Sequence, residues 1–322
     1  MGAVRIFEHL PSALRSRILD AAKGAKVALP EGADERVLAA SQLLTDVAGV
    51  EAILVSSDTA KQRAQETQDV IRACAVRRHK TPSEELLAKA TDPLYAAGGL
   101  LERGEVDAVV AGAVYTTAEV IRAVINTVGL KADCPLLTSC FLFRLATPTA
   151  GGEEVVVYAD GGVIPQPSEA QLSFIAQLSA EAFQAWVDRE PRVGFLSFST
   201  CGSAEHPDAL KMRNASCLFA EAHPEIQSEG ELQFDAAVVP SVALRKNPNS
   251  KLQGRTNVFV FPDLDAGNIA YKITQRLAGA EAWGPLLLGS AKPFSDLSRG
   301  ASALDIAHVA LLTASLGRLR SF

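Results

Sequence analysis

The chain has 322 residues, of which 48% are hydrophobic and 21% charged, with a formal net charge of −6. This is the composition of a globular protein with room for about two domains, and it excludes the disordered and fibrous classes. The acidic balance excludes a general attraction for nucleic acid, so a polyanionic ligand has to be held by a local group of Lys and Arg.

The elements follow from the spacing of apolar residues. In chain order, the pattern predicts a strand at 26–29, a helix at 34–44, strands at 51–55 and 106–111, a helix at 116–128 and strands at 135–143 and 155–158. It continues with a helix at 169–186, a strand at 193–198, a helix at 208–222, strands at 236–239 and 258–261, a helix at 266–277, a strand at 285–288 and a helix at 302–316. Short apolar runs alternating with amphipathic segments predict an α/β fold with largely parallel sheets. Pro148 with Gly151-Gly152 predicts a tight turn at 147–154, hence an antiparallel hairpin that makes one sheet mixed. No fixed-period repeat or low-complexity segment is present. No apolar run reaches the ~20 residues of a spanning helix, and residues 1–10 lack the apolar core of a signal peptide, so no membrane association and a cytoplasmic location are expected.

General chemical signatures are mostly missing. No GxGxxG follows a strand, and residues 284–290 have P-loop glycine spacing without the Lys, so neither a nicotinamide nor an ATP site is expected. The five histidines are scattered singly, without metal-ligand spacing, and no metal is expected. The five cysteines form no CxxC pair and read as thiols. Cys201, just after the predicted strand 193–198, stands where α/β proteins hold ligands; it reads either as a nucleophile or as a small residue filling a corner. Ser298-Arg299-Gly300 followed by Asp305 reads in two ways also. Arg299 beside a glycine can present a fork of donors to an oxyanion, whereas Ser302-x-x-Asp305 is the spelling of a helix capping box.

Longer blocks carry a resemblance. They are residues 230–237 (Gly-Glu-Leu-Gln-Phe-Asp-Ala-Ala), 257–264 (Asn-Val-Phe-Val-Phe-Pro-Asp-Leu), 266–272, Gly289-Ser290-Ala291-Lys292-Pro293 and Asp296-Leu297-Ser298-Arg299-Gly300. Leu29-Pro30-Glu31 with Arg36, Arg77-Arg78-His79-Lys80, residues 104–113 and Ser199-Thr200 with Gly202-Ser203-Ala204 agree in order. With these blocks the chain resembles the phosphate acetyltransferases (phosphotransacetylases), in their short catalytic-only form. The resemblance implies two α/β domains with mixed, mostly parallel sheets, a fold like that of the isocitrate and isopropylmalate dehydrogenases, an active-site cleft between the domains and a homodimer. On that basis residues 1–131 with 288–322 form one domain and 132–287 the other.

The implied function is reversible transfer of an acetyl group between acetyl-CoA and inorganic phosphate, giving acetyl phosphate and CoA, with coenzyme A as substrate and no bound cofactor. By motif, Ser298, Arg299 and Asp305 match the family's catalytic Ser-Arg and Asp. Arg77 and Arg122 match arginines that hold phosphates, with solvated helix charges as their other reading. Asp305 is then the base that takes the thiol proton, Arg299 and Ser298 bind the developing negative charge, and direct attack in a ternary complex needs no enzyme nucleophile. Residues 114–118 depart from the family's serine-rich loop but keep hydroxyls at Thr116 and Thr117, the candidate substrate-binding pair; Tyr115 is bulkier than its counterpart and bears on substrate range. Cys201 stands where many relatives have Lys. The short form implies kinetics without nicotinamide or pyruvate control. A phosphate butyryltransferase, a non-catalytic CoA-binding protein and a dehydrogenase of the same fold are the competing readings, and one methylene of acyl length is worth only ~1–3 kcal/mol of discrimination.

Overall fold

A computed structural model describes residues 6–319. The chain divides into two compact units, the first running to Pro135 and resuming at Gly284, the second being Leu136–Trp283. These limits differ by a few residues from the expected 131/132 and 287/288. Lys131 N–H donates to Gly289 O at 2.9 Å and Leu130 bridges to Ser290, so the outgoing and returning chain are held together inside the first unit.

The first unit contains α1 (Ser12–Ala22), β1 (Lys26–Leu29), α2 (Glu35–Ala48), β2 (Glu51–Leu54), α3 (Ser57–Gln62), α4 (Ala64–Arg77), α5 (Glu84–Ala88), α6 (Pro93–Glu102), β3 (Ala108–Val110) and α7 (Thr117–Thr127). The second holds β4 (Thr138–Arg144), β5 (Val155–Ala159), α8 (Glu169–Val187), β6 (Arg192–Leu196), α9 (Pro207–Ala222), β7 (Gln227–Leu232), α10 (Phe234–Val238), α11 (Pro240–Lys246), β8 (Val258–Val260) and α12 (Leu264–Arg276). Then β9 (Glu281–Leu288) leads back to β10 (Phe294–Ser295) and α13 (Ala303–Leu319) of the first unit.

The sheet of the first unit has the order β10-β3-β1-β2, and every neighbouring pair is parallel. Its central strands, Lys26-Val-Ala-Leu29 and Ala108-Val-Val110, are buried beyond Lys26, as expected for strands covered on both faces. Helix α13 is apolar nearly all round and buried from Ile306 to Leu316, packing on α1, α2 and β3. Because all four strands run the same way, their carboxyl ends share one edge.

The sheet of the second unit has the order β7-β6-β8-β5-β4-β9. β5, β6, β7 and β8 pair in parallel, while β4 and β5 form the antiparallel hairpin whose turn the glycines at 151–152 allow. At Gly151 a Cβ would lie 2.1 Å from Gly254 O, so no other residue fits. The sheet's core is aromatic, with the Tyr158 ring 4.6 Å from Phe143 and 5.3 Å from Phe259.

One expectation is corrected. Residues 236–239 are not a strand: they belong to α10 and its end, with Pro240 opening α11. The strand of this region is β7, Gln-Ser-Glu-Gly-Glu-Leu, which the apolar pattern passed over. It lies at the sheet edge and, among the described residues, pairs only with β6, so it needs no continuous apolar run.

Candidate active site

Ligands of open α/β sheets are held outside the carboxyl ends of the strands. In the first unit three of the loops that leave that edge hold the candidate residues and their supports: residues 30–34 after β1, 111–116 after β3 and 296–302 after β10.

Glu31 organises the middle loop. Its buried carboxylate accepts four successive backbone N–H groups, Gly112 at 3.0 Å and Ala113 at 2.9 Å on Oε2, Val114 at 2.6 Å and Tyr115 at 2.8 Å on Oε1. Charge-assisted bonds to consecutive amides define the path of a loop. Gly112 supplies the φ of +113° that this path requires. The Tyr115 hydroxyl donates to Asp92 Oδ1 at 2.7 Å, which anchors the ring at the start of α6, and burial raises its pKa.

Arg36 joins that loop to the third one. Its guanidinium donates to Ala113 O at 2.9 Å, to Arg299 O at 2.8 Å and to Ala301 O at 3.0 Å, and it is itself gripped by both oxygens of Asp34, the N-cap of α2. The Arg36 bond holds the Asp34 carboxyl below its usual range. The backbone of Arg299 is thereby clamped while its side chain, with that of Ser298, stays exposed.

Asp305 sits in the first turn of α13 and completes a capping box. Ser302 N–H and Oγ donate to its Oδ2 at 2.9 and 2.7 Å, and Asp305 N–H donates to Ser302 Oγ at 3.2 Å. Both bonds to the carboxylate end on Oδ2, so Oδ1 takes no part in the cap.

Thr117 and Asp296 tie the second and third loops from the other side. Thr117 Oγ1 donates to Asp296 Oδ2 at 2.6 Å. Asp296 is fully buried, and its Oδ1 has no hydrogen-bond partner. Burial, assisted by the charge of Glu31, raises its pKa to about 6 against the pull of Thr117 and the Leu297 amide. Thr116 is the N-cap of α7, in a box with Glu119.

The structure thus gathers Thr117, Ser298 and Arg299 on tied loops, with Asp305 at the helix start that follows. Arg77 is elsewhere. It lies by the carboxyl end of α7, donating to Glu102 Oε1 at 2.6 Å and to the carbonyls of Thr127 and Val128 at 3.5 and 3.3 Å. At 1.5 Å per residue that end is roughly 15 Å from Thr117. Arg122 projects from the middle of α7 and is exposed. Glu31, Arg36 and Asp296 lie within the matching blocks, but no motif assigned them a role; the signal available was charge inside otherwise apolar or glycine-flanked strand ends.

In the second unit Cys201 follows β6 in a left-handed turn, φ +48°. Burial, with the charges of Glu229 and Glu231, pushes its thiol pKa up, the reverse of what a nucleophilic thiolate needs. Glu231 beneath it is fully buried and accepts from Ser199 Oγ at 2.7 Å, Gly202 N–H at 3.0 Å and Arg213 Nε at 2.8 Å. Burial opposes its ionisation, yet these donors outweigh burial and bring its pKa down to about 2. Among the described residues no His, Cys, Asp and Glu side chains gather into a metal-binding group, and no helix is long and apolar enough to cross a membrane.

The comparisons with known proteins agree with one another. The family model described as "Phosphate acetyl/butaryl transferase" matches residues 13–314. A phosphate acetyltransferase of Paracoccus denitrificans is 43% identical over 72% of this chain and 73% of its own length, and that of Bacillus subtilis is 38% identical over 92% and 95%. The solved EutD phosphotransacetylase from Staphylococcus aureus superposes with a TM-score of 0.81 at 32% identity, covering 95% of this chain and 98% of its own. The chain belongs to the phosphate acetyl/butyryl transferase family.

Proposed function

We propose that this enzyme is a phosphate acetyltransferase that moves an acetyl group reversibly between coenzyme A and inorganic phosphate. The observation that carries the reading is the Arg299 loop: Arg36 clamps its carbonyls, and the Arg299 side chain is left open at the strand edge beside Ser298 and the start of α13. The acetyl rather than butyryl assignment is supported by relatives named phosphate acetyltransferase.

In the direction of acetyl-CoA formation, Asp305 Oδ1 takes the proton of the coenzyme A thiol as sulfur bonds to the acetyl carbonyl carbon. The bond from that carbon to the phosphate oxygen then breaks, and phosphate leaves with the electron pair. Arg299 and Ser298 donate to the oxygens on which charge builds. Thr116 and Thr117 bind the acyl phosphate end, and Arg122 on α7 and Arg77 at the end of α4 hold phosphate groups of acetyl phosphate and coenzyme A. The reading brings with it a cytoplasmic homodimer.

Initial rates of thioester formation from acetyl phosphate and coenzyme A test the assignment. Arg299→Gln is expected to lose on the order of a hundredfold or more in rate, and Cys201→Ala to keep wild-type turnover. Loss of activity in Cys201→Ala with Arg299→Gln unaffected would overturn it in favour of an acyl-enzyme.

A further inference from the structure

We propose that Asp296 is a proton-linked positioning residue: it takes up a proton when an anionic substrate binds, turning the Thr117 hydroxyl from acceptor to donor toward that substrate. The inference rests on the reading of the site as one for acyl phosphate and phosphate.

A hydroxyl has a single proton to donate. While Asp296 is ionised, the proton of Thr117 lies in the 2.6 Å bond to Oδ2, and Thr117 offers an incoming phosphate oxygen only lone pairs. With a proton on Oδ2 the same contact runs the other way: the carboxyl donates to Thr117 Oγ1, and the hydroxyl proton is released to the ligand. The proton comes from solvent and returns there when the anion leaves.

Three features of the site favour the neutral carboxyl. Asp296 is wholly withdrawn from solvent. Its Oδ1 has no partner, and the backbone of Gly112 packs so closely that a Cβ there would lie 2.3 Å from that oxygen, which bars a side-chain donor from position 112. An unpaired buried oxygen costs far less on a neutral acid than on an anion. Third, Glu31 holds its own negative charge on the far side of the same loop. The other ionisable groups on the surrounding elements are Asp34, Glu35 and Arg36 at the start of α2, Tyr115 on the middle loop, Glu119 and Arg122 on α7, Arg299 on the same loop as Asp296, and Asp305 and His308 on α13. Arg36 is engaged by Asp34 and by three carbonyls. The raised pKa of about 6 agrees with this balance, and a bound anion would raise it further.

The test is the dependence of kcat/KM for acetyl phosphate on pH, at saturating coenzyme A, between about pH 5 and 9. In the wild type it should fall by about tenfold per unit once Asp296 ionises in the free enzyme. Asp296→Asn, whose amide can donate to Thr117 at every pH, should lose that limb, and Thr117→Ser should retain it. Thr117→Val should also lose it, with a lower value throughout. As a readout free of turnover, the infrared difference spectrum on adding inorganic phosphate at about pH 7 should gain the carbonyl band of a protonated carboxyl in the wild type and not in Asp296→Asn. A wild-type pH profile in Asp296→Asn, or no such band, overturns the proposal. Absence of acetyl transfer at any pH would instead defeat the reading of the site, and the infrared band would then decide the role of Asp296 by itself.

Discussion

Asp296 and Glu231 are both withdrawn from solvent, yet burial is outweighed in one and not in the other. Glu231 has the Arg213 guanidinium, a hydroxyl and a backbone amide as donors; Asp296 has no cation, only the Thr117 hydroxyl and the pull of the Leu297 amide. The signs of their contributions therefore differ. The depressed pKa of Glu231 stabilises the fold above the ordinary carboxylate range, and that stability is lost as pH falls through about 2. The raised pKa of Asp296 means the neutral acid is preferred in the fold, so its contribution is full below the ordinary Asp pKa and is lost as pH rises through about 6. A carboxyl pKa displaced a hundredfold in proton affinity corresponds to about 3 kcal/mol. Asp296→Asn, which keeps the shape without the charge, is accordingly expected to raise the melting temperature at about pH 8 and to do so less at about pH 5. A lower melting temperature at pH 8 would show that the ionised carboxylate is stabilising. At Glu231 the opposite holds: Glu231→Gln takes the counter-charge from Arg213 and should lower the midpoint of chemical denaturation at neutral pH, and an unchanged midpoint would contradict this.

At the start of α13 one residue has two assignments, and they can be separated. Ser302 and Asp305 form a capping box, and Asp305 is also the proposed base. Ser302→Ala removes the hydroxyl of the cap, so it should cost about 1 kcal/mol of stability while turnover of the folded enzyme stays near wild type. Asp305→Asn keeps an acceptor for Ser302, so the melting temperature should hold while turnover collapses. If activity followed stability in both variants, Asp305 would be a cap alone. The capping box was legible in spelling because its partners are three residues apart. The parallel strands and the 147–154 hairpin were legible for the same reason: apolar runs and turn glycines are local signals. Strand β7 was not, since an edge strand rich in Glu, Gln and Ser carries no apolar period, while the run 236–239 that carried one is too short to separate helix from strand.

Across the whole molecule, the residues proposed to bear the chemistry stood out and those that hold them did not. Ser298, Arg299 and Asp305 lie within one short stretch. Their supports reach across the chain: Glu31 bonds amides 81 residues away, Arg36 a carbonyl 263 away and Thr117 a carboxylate 179 away. Separations of that size leave no periodic trace in sequence, and only the parallel order β10-β3-β1-β2, which brings three strand ends to one edge, makes them neighbours. Arg77 shows the converse, a residue matched by motif whose guanidinium is engaged with Glu102 and the end of α7. The claim on which the whole account turns is phosphate-dependent acetyl transfer with Asp305 as base, and thiol release from acetyl-CoA measures it directly. The account predicts release by the wild type only when inorganic phosphate is added, and a loss of on the order of a hundredfold or more in Asp305→Asn. Release without phosphate, or wild-type rates in Asp305→Asn, would contradict it.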